Sequence, residues 1–162
     1  MREVPFAVGD QSKRAVVDTV HSILEAKGRD VWSIAPGATV FDAIDQMARR
    51  SVGALMVLSG NDLAGIISER DYARKVILQG RSSKETLVKE IMTPAPLVTV
   101  TPDQTVDACL RLITERRVRH LPVVDDQGLQ GMISIGDLVK AIISSQAYTI
   151  DQLHTYIAGY PT

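Results

Sequence analysis

The sequence predicts a mixed α/β (α+β) chain: two β-α-β-β-α units packed about a pseudo-two-fold axis. Three observations carry that expectation. Residues 36–71 recur without a gap at 102–137, a constant offset of 66, with twelve identical positions that include Pro36/Pro102, Thr39/Thr105, Gly65/Gly131, Ser68/Ser134 and Asp71/Asp137. Each copy shows one helical apolar stripe followed by two short apolar runs split by turn formers. A duplicated unit of this size cannot bury its apolar face alone, so the copies need each other's surface.

Taken in order, residues 1 to about 14 show no periodicity and read as a flexible segment. Val16–Leu24 has helical spacing, and Gly28 is a natural stop. A fainter echo, Val20-His-Ser-Ile-Leu24 against Val88-Lys-Glu-Ile-Met92, lies at an offset of 68, so the duplication starts before Pro36. In each copy a short extended segment (Val31–Ile34; Leu97–Val100) leads through a proline turn to Thr39 or Thr105. Either hydroxyl can cap the helix that follows. Those helices carry i, i+3, i+4, i+7 stripes: Val40, Ala43, Ile44, Met47 and Val106, Cys109, Leu110, Ile113.

Hairpins are expected next, Ala54–Leu58 with Leu63–Ile67 and His120–Val124 with Leu129–Ile133. Pro122 removes a ladder donor and predicts an edge or a bulge. A second helix follows in each copy, at about 69–78 and 135–145. Ser82-Ser-Lys-Glu85 resembles a capping box opening a short helix between the copies. Thr149–Ile157 reads as a separate terminal helix, at a subunit contact. The domain expectation is a flexible segment at 1–15, repeat one at 16–80, repeat two at 81–146 and a C-terminal helix or tail at 147–162.

Composition narrows the function classes. Eighteen basic against nineteen acidic residues leave a net charge of −1, which argues against a nucleic-acid-binding footprint. The single cysteine, Cys109, allows no internal disulfide and suits a reducing compartment. No apolar run reaches the roughly 18 residues of a membrane span, and the N-terminus has no apolar signal core. The expectation is a cytoplasmic protein with no membrane partner. No metal-ligand spacing, nucleophile–base set or glycine-rich phosphate loop appears, so no catalytic residue and no metal is expected.

Chemistry concentrates in Gly65-Ile-Ile-Ser68-Glu-Arg70-Asp71 and Gly131-Met-Ile-Ser134-Ile-Gly136-Asp137. In each, Ser stands where a strand gives way to a helix and Asp falls in that helix's first turn. The end offers free N–H groups, and an ionised carboxylate offers two acceptor oxygens to a pair of ribose hydroxyls. Ser and Asp can equally serve as caps alone, and duplication at the same place in both copies brings the two readings level. Positive charge gathers in copy two at Arg116, Arg117, Arg119 and His120. The fork of Arg suits phosphate. Copy one has Ser51, Gly53 and Ala54 there, and instead places Arg70, Arg74 and Lys75 beside Asp71.

On these motifs, with Ile91-Met-Thr93, Val98-Thr-Val-Thr-Pro-Asp103 and Arg119-His-Leu-Pro-Val-Val-Asp125, the chain resembles a tandem cystathionine-β-synthase (CBS) domain protein, the Bateman module. The match covers about residues 20–145. Ser68-Glu-Arg-Asp-Tyr-Ala-Arg-Lys-Val76 further resembles stand-alone regulatory members from bacteria and plant organelles. The resemblance implies a non-enzymatic signal-transduction module that senses an adenosyl ligand: AMP first, with ADP, ATP, NAD or S-adenosylmethionine as alternatives. It implies that Asp71 and Asp137 hold ribose, with Ser68 and Ser134 assisting. Adenine would lie in an apolar slot around Thr99, and phosphate would meet Arg119 and His120. Arg70 and Gly136, inside the motifs, complete the candidate set. The resemblance also implies a homodimer through helices and a separate, unidentified effector protein. The rival expectation is a structural or interaction dimer with vestigial clefts.

Overall fold

The computed structural model describes residues 19–158. The flexible segment expected at 1–15 lies outside the described residues. In chain order the elements are α1 (Val20–Lys27), β1 (Ser33–Ile34), α2 (Val40–Arg50), β2 (Ala54–Ser59), β3 (Asp62–Ser68), α3 (Glu69–Tyr72, continued by a π-helical turn Ala73–Ile77), α4 (Val88–Ile91), β4 (Thr93–Pro94), α5 (Val106–Arg116), β5 (His120–Asp125), β6 (Gly128–Ser134) and α6 (Ile135–Ala158). The β-α-β-β-α order is therefore present in copy one; in copy two the first strand is reduced to one bridge, Val100 to Val123.

The described residues divide into two compact units: Asp30–Val98, and residues 19–29 together with 99–158. The units in space thus differ from the repeats in sequence, because each leading helix belongs with the other copy. In the first unit, Val88 and Lys89 at the start of α4 donate to the carbonyls of Ala38 and Pro36 at 2.8 and 3.0 Å. In the second, Val20 and His21 of α1 donate to Gln104 and Pro102 at 2.9 and 2.8 Å. The matching positions repeat the same ladder.

In the Asp30–Val98 unit, β1 runs parallel to β2, which pairs antiparallel with β3, which pairs antiparallel with β4. One core joins Val40, Ala43 and Met47 of α2, Leu55 and Val57 of β2, Ile67 of β3, Val76, and Val88 and Ile91 of α4. These are the stripe positions predicted for α2 and the alternate strand positions that face it. Thr39 caps α2 by accepting the Asp42 N–H at 3.1 Å.

In the other unit β5 and β6 form an antiparallel pair. Val100 donates to Pro122 O and accepts from Val124 N, standing in for β1. Thr105 caps α5 through the Ala108 N–H at 3.1 Å. Val106, Cys109, Ile113, Leu121, Val123, Ile133 and Leu138 are buried. The bulge expected beside Pro122 falls between Val123 and Val124, but copy one has the same irregularity between Val57 and Leu58, opposite no proline. The hairpin itself therefore sets the bulge, and Pro122 is accommodated by it.

Two local expectations change. The helix between the copies starts at Val88, where Glu90 accepts the Leu87 N–H at 2.6 Å, not at a Ser82–Glu85 box. The helices expected on either side of residue 146 are one continuous 24-residue α6. No glycine or proline interrupts residues 137–157, so nothing stops propagation.

Candidate functional site

The motif glycines have a packing reason. A Cβ on Gly65 would stand 2.5 Å from Thr93 O, and one on Gly131 would stand 2.8 Å from Leu24 Cδ2. Each glycine lets the leading segment of the other copy lie flat on β3 or β6. Ile67 and Ile133 point into the core at 0% exposure. The chain then turns at Ser68 or Ser134 and enters α3 or α6, anchored by Glu69 N on Gly53 O and Ile135 N on Arg119 O.

That turn brings Ser and Asp together in both copies. Asp71 N donates to Ser68 Oγ at 3.2 Å, while Asp71 Oδ2 accepts from Ser68 N and Oγ at 3.0 and 3.1 Å. Asp137 N donates to Ser134 Oγ at 3.2 Å, and its Oδ2 accepts from Ser134 N at 2.8 Å. The cap role is real in both copies, and it consumes one carboxylate oxygen. What remains for chemistry is Oδ1.

Here the copies part. Lys27 Nζ, at the end of α1, lies 2.8 Å from Asp137 Oδ2 and 2.8 Å from Met132 O. Lys27 can reach because α1 runs eight residues, Val20–Lys27, until Gly28 stops it at φ 95°. Its counterpart α4 ends after four residues, before Pro94 and Pro96. In copy one the lysine comes instead from the following helix: Lys75 Nζ lies 3.1 Å from Asp71 Oδ1 and 2.8 Å from Ile91 O.

Burial is the largest influence on Asp137 and opposes its ionisation. It is outweighed by the Lys27 hydrogen bond, the Ser134 N–H and the charge of Lys27, which together hold the carboxyl below the usual range. His120, opposite Ser134 in the β5–β6 register, is pushed down chiefly by burial. Asp137 works against that shift; Lys27 and Arg119 add to it. His120 is therefore a neutral donor–acceptor at neutral pH.

Of the predicted residues, Arg119, His120, Ser134, Gly136 and Asp137 meet at one end of the β5–β6 pair, whereas Ser68, Arg70 and Asp71 form their own cluster at the end of β3. Arg70 and Gly136 are exposed. Thr99 is exposed beside Val100, and no hydrogen bond among the described residues ties it to either Asp. Lys27 is the residue sequence reasoning missed. It is 110 positions from Asp137 and its offset partner is Ala95, so neither motif nor repeat points to it. Burial pushes the Cys109 thiol up, in keeping with a core residue.

A model of the CBS domain matches residues 23–77 and again 88–144. The chain belongs to the CBS-domain family. The CBS domain-containing protein CBSX3, mitochondrial, of Arabidopsis thaliana is 43% identical over 150 residues, covering 87% of this chain and 72% of that protein. A solved structure of a protein with CBS domains from Burkholderia ambifaria MC40-6 superposes with a TM-score of 0.76 at 53% identity, over 79% of this chain and 96% of that one. CBSX2, solved in complex with AMP, gives a TM-score of 0.64 at 23% identity, over 78% of this chain and 97% of its own; at that identity the likeness is one of fold. The two sequence copies are thus CBS copies, as the motifs implied. No helix among the described residues is long and apolar enough to cross a membrane.

Proposed function

We propose that this CBS pair is a non-catalytic regulatory module that binds an adenosyl ligand, AMP before ADP, ATP, NAD or S-adenosylmethionine, and passes the signal to a separate effector protein. The observation that carries the reading is Asp137. Its Oδ2 is committed to Ser134 and Lys27, and among the described residues its Oδ1 accepts no hydrogen bond. A carboxylate held ionised with one free oxygen is an acceptor for ribose hydroxyls. Arg119 and His120 supply the cationic and donor groups that a monophosphate requires. Ser68 and Asp71 form the second, weaker ribose site, which Arg70 serves from the surface. Thr99 lines the adenine side.

The AMP complex of the distant CBSX2 supports the ligand class, and the description of the Burkholderia ambifaria protein as one of signal transduction supports a regulatory role. A cytoplasmic location belongs to the same reading, supported by the lone buried Cys109.

Calorimetry with AMP, ADP, ATP, NAD and S-adenosylmethionine tests it. AMP should bind more tightly than millimolar, and Asp137→Ala should weaken it at least tenfold. Binding of none of the five overturns the reading.

A second feature supports association. Ile135, Val139, Ile143, Ile150 and Leu153 of α6 are 40–60% exposed. At about 100° per residue they fall within an arc of about 80° on one face. A homodimer through this helix is part of the proposal, and sedimentation of the purified chain tests it. If AMP fails to bind while the dimer persists, the interaction protein with vestigial clefts is the correct reading.

A further inference from the structure

The two CBS copies use the same Ser-x-x-Asp motif but not the same lysine. Copy one places Lys75 four residues after Asp71; the matching residue after Asp137 is Ala141. Copy two borrows Lys27 from α1; the matching residue in the leader of copy two is Ala95. Each copy therefore lacks the other's cation, and the two ammonium groups land on different oxygens. Lys27 joins Ser134 N on Asp137 Oδ2, the cap oxygen, and leaves Oδ1 open. Lys75 takes Asp71 Oδ1, the oxygen the cap leaves over, while Oδ2 is filled by Ser68 N and Oγ.

A carboxylate oxygen has two acceptor sites. Asp137 can thus receive two adjacent hydroxyls on Oδ1, whereas Asp71 can receive one until Lys75 leaves. We propose that these two lysines order ligand binding: Lys27 is a positioning residue that turns the Asp137 carboxylate toward ligand, and Lys75 is a resident competitor that holds the Asp71 site back. The inference rests on the adenosyl-binding reading above.

Physical magnitudes set the scale of the effect. The Lys75 side chain is 46% exposed and can swing into solvent. Only the lysine end of this i, i+4 pair is exposed, since the Asp71 side chain is 14% exposed and Lys75 also donates to Ile91 O, so the brake is worth roughly two- to fivefold in affinity. Lys27 spans two acceptors from a separate helix and is 37% exposed. Its loss frees the Asp137 rotamer and costs roughly fivefold to tenfold.

The test is calorimetry of the full chain with AMP, and in parallel with uncharged adenosine, for the wild type, Lys27→Met, Lys27→Arg, Lys75→Met and Lys75→Gln. The wild type should show a tighter and a weaker event. Lys75→Met and Lys75→Gln should both tighten the weaker event two- to fivefold, for AMP and adenosine alike. Lys27→Met should weaken the tighter event for both ligands, and Lys27→Arg should restore much of it. A weaker event that is unchanged or loosened in both Lys75 variants overturns the inference. So does a Lys27→Met loss seen with AMP but not adenosine, since that marks a phosphate contact. If the wild type binds neither ligand, the functional reading falls and this inference falls with it. If the wild type binds and the lysine variants match it, this inference alone falls.

Discussion

At the level of single residues, the Ser/Asp pair has one role in hand and one proposed. Oδ2 closes the turn into α3 or α6, and Oδ1 is the oxygen proposed to receive ligand. This is why the caps-only reading and the ribose reading could not be separated from sequence: a Ser-x-x-Asp spacing is demanded equally by both. Ser134→Ala removes the hydroxyl that accepts the Asp137 N–H and should cost about 1 kcal/mol in a urea titration. A loss below about 0.3 kcal/mol would show the cap to be idle. His120 gives a pH signature. Its pKa is lowered in the folded state, so the unfolded chain binds more protons below about 6.5. Its contribution to stability is full above that pH and is lost as pH falls toward the folded value. Asp137, also lowered, behaves the same way but only in the range below about 3.9. Between pH 7.5 and 5.5 the wild type should therefore lose more stability than His120→Gln. Equal losses in the two proteins would rule out His120 as the group responsible.

Elements were readable where a local rule governs them and misread where a distant partner does. Thr39 and Thr105 cap their helices, and the stripes of α2 and α5 are buried except for the half-buried Ile44 and Leu110, because capping and amphipathicity are properties of a few adjacent residues. The motif glycines were legible as conserved between copies but not in purpose, since the atoms they make room for lie in the other copy's leader. That difference is testable. Gly65→Ala pushes a Cβ against a backbone carbonyl, Thr93 O, which cannot swing aside; Gly131→Ala pushes against the Leu24 side chain, which can be trimmed. Gly65→Ala should be the more destabilising in thermal melts, and Leu24→Ala should rescue Gly131→Ala in part. Equal cost, or no rescue, would contradict the packing described. The helix ends carry a second handle. Ser51 and Arg117 close α2 and α5 in the left-handed region, both at φ 54°. Glycine adopts that conformation without the Cβ penalty. Ser51→Gly should raise stability by about 0.5–1 kcal/mol, read as a higher urea midpoint at unchanged slope.

For the molecule as a whole, the repeat along the sequence and the compact unit in space are offset by one helix. A 66-residue repeat announces its period but not its starting point, and the echo between Val20–Leu24 and Val88–Met92 left open which copy each leader serves. Proline spacing then made the leaders unlike: Pro94 and Pro96 end α4 early, while Glu25-Ala-Lys27 lets α1 continue until Lys27 meets Asp137. Asp30–Val98 contains α4 and its full four-stranded sheet. A fragment of residues 30–98 should give a dispersed NMR spectrum, whereas residues 16–80, which lack Val88 and Ile91 from the core, should not. The reverse result would refute the division. The central claim is that Asp137, pinned by Lys27 and Ser134, is an adenosyl-binding carboxylate, and one titration decides it: AMP into the wild type and into Asp137→Ala by calorimetry. The wild type should bind more tightly than millimolar, and the variant should show at least a tenfold loss. Identical isotherms for the two proteins, or no heat from either, would contradict it.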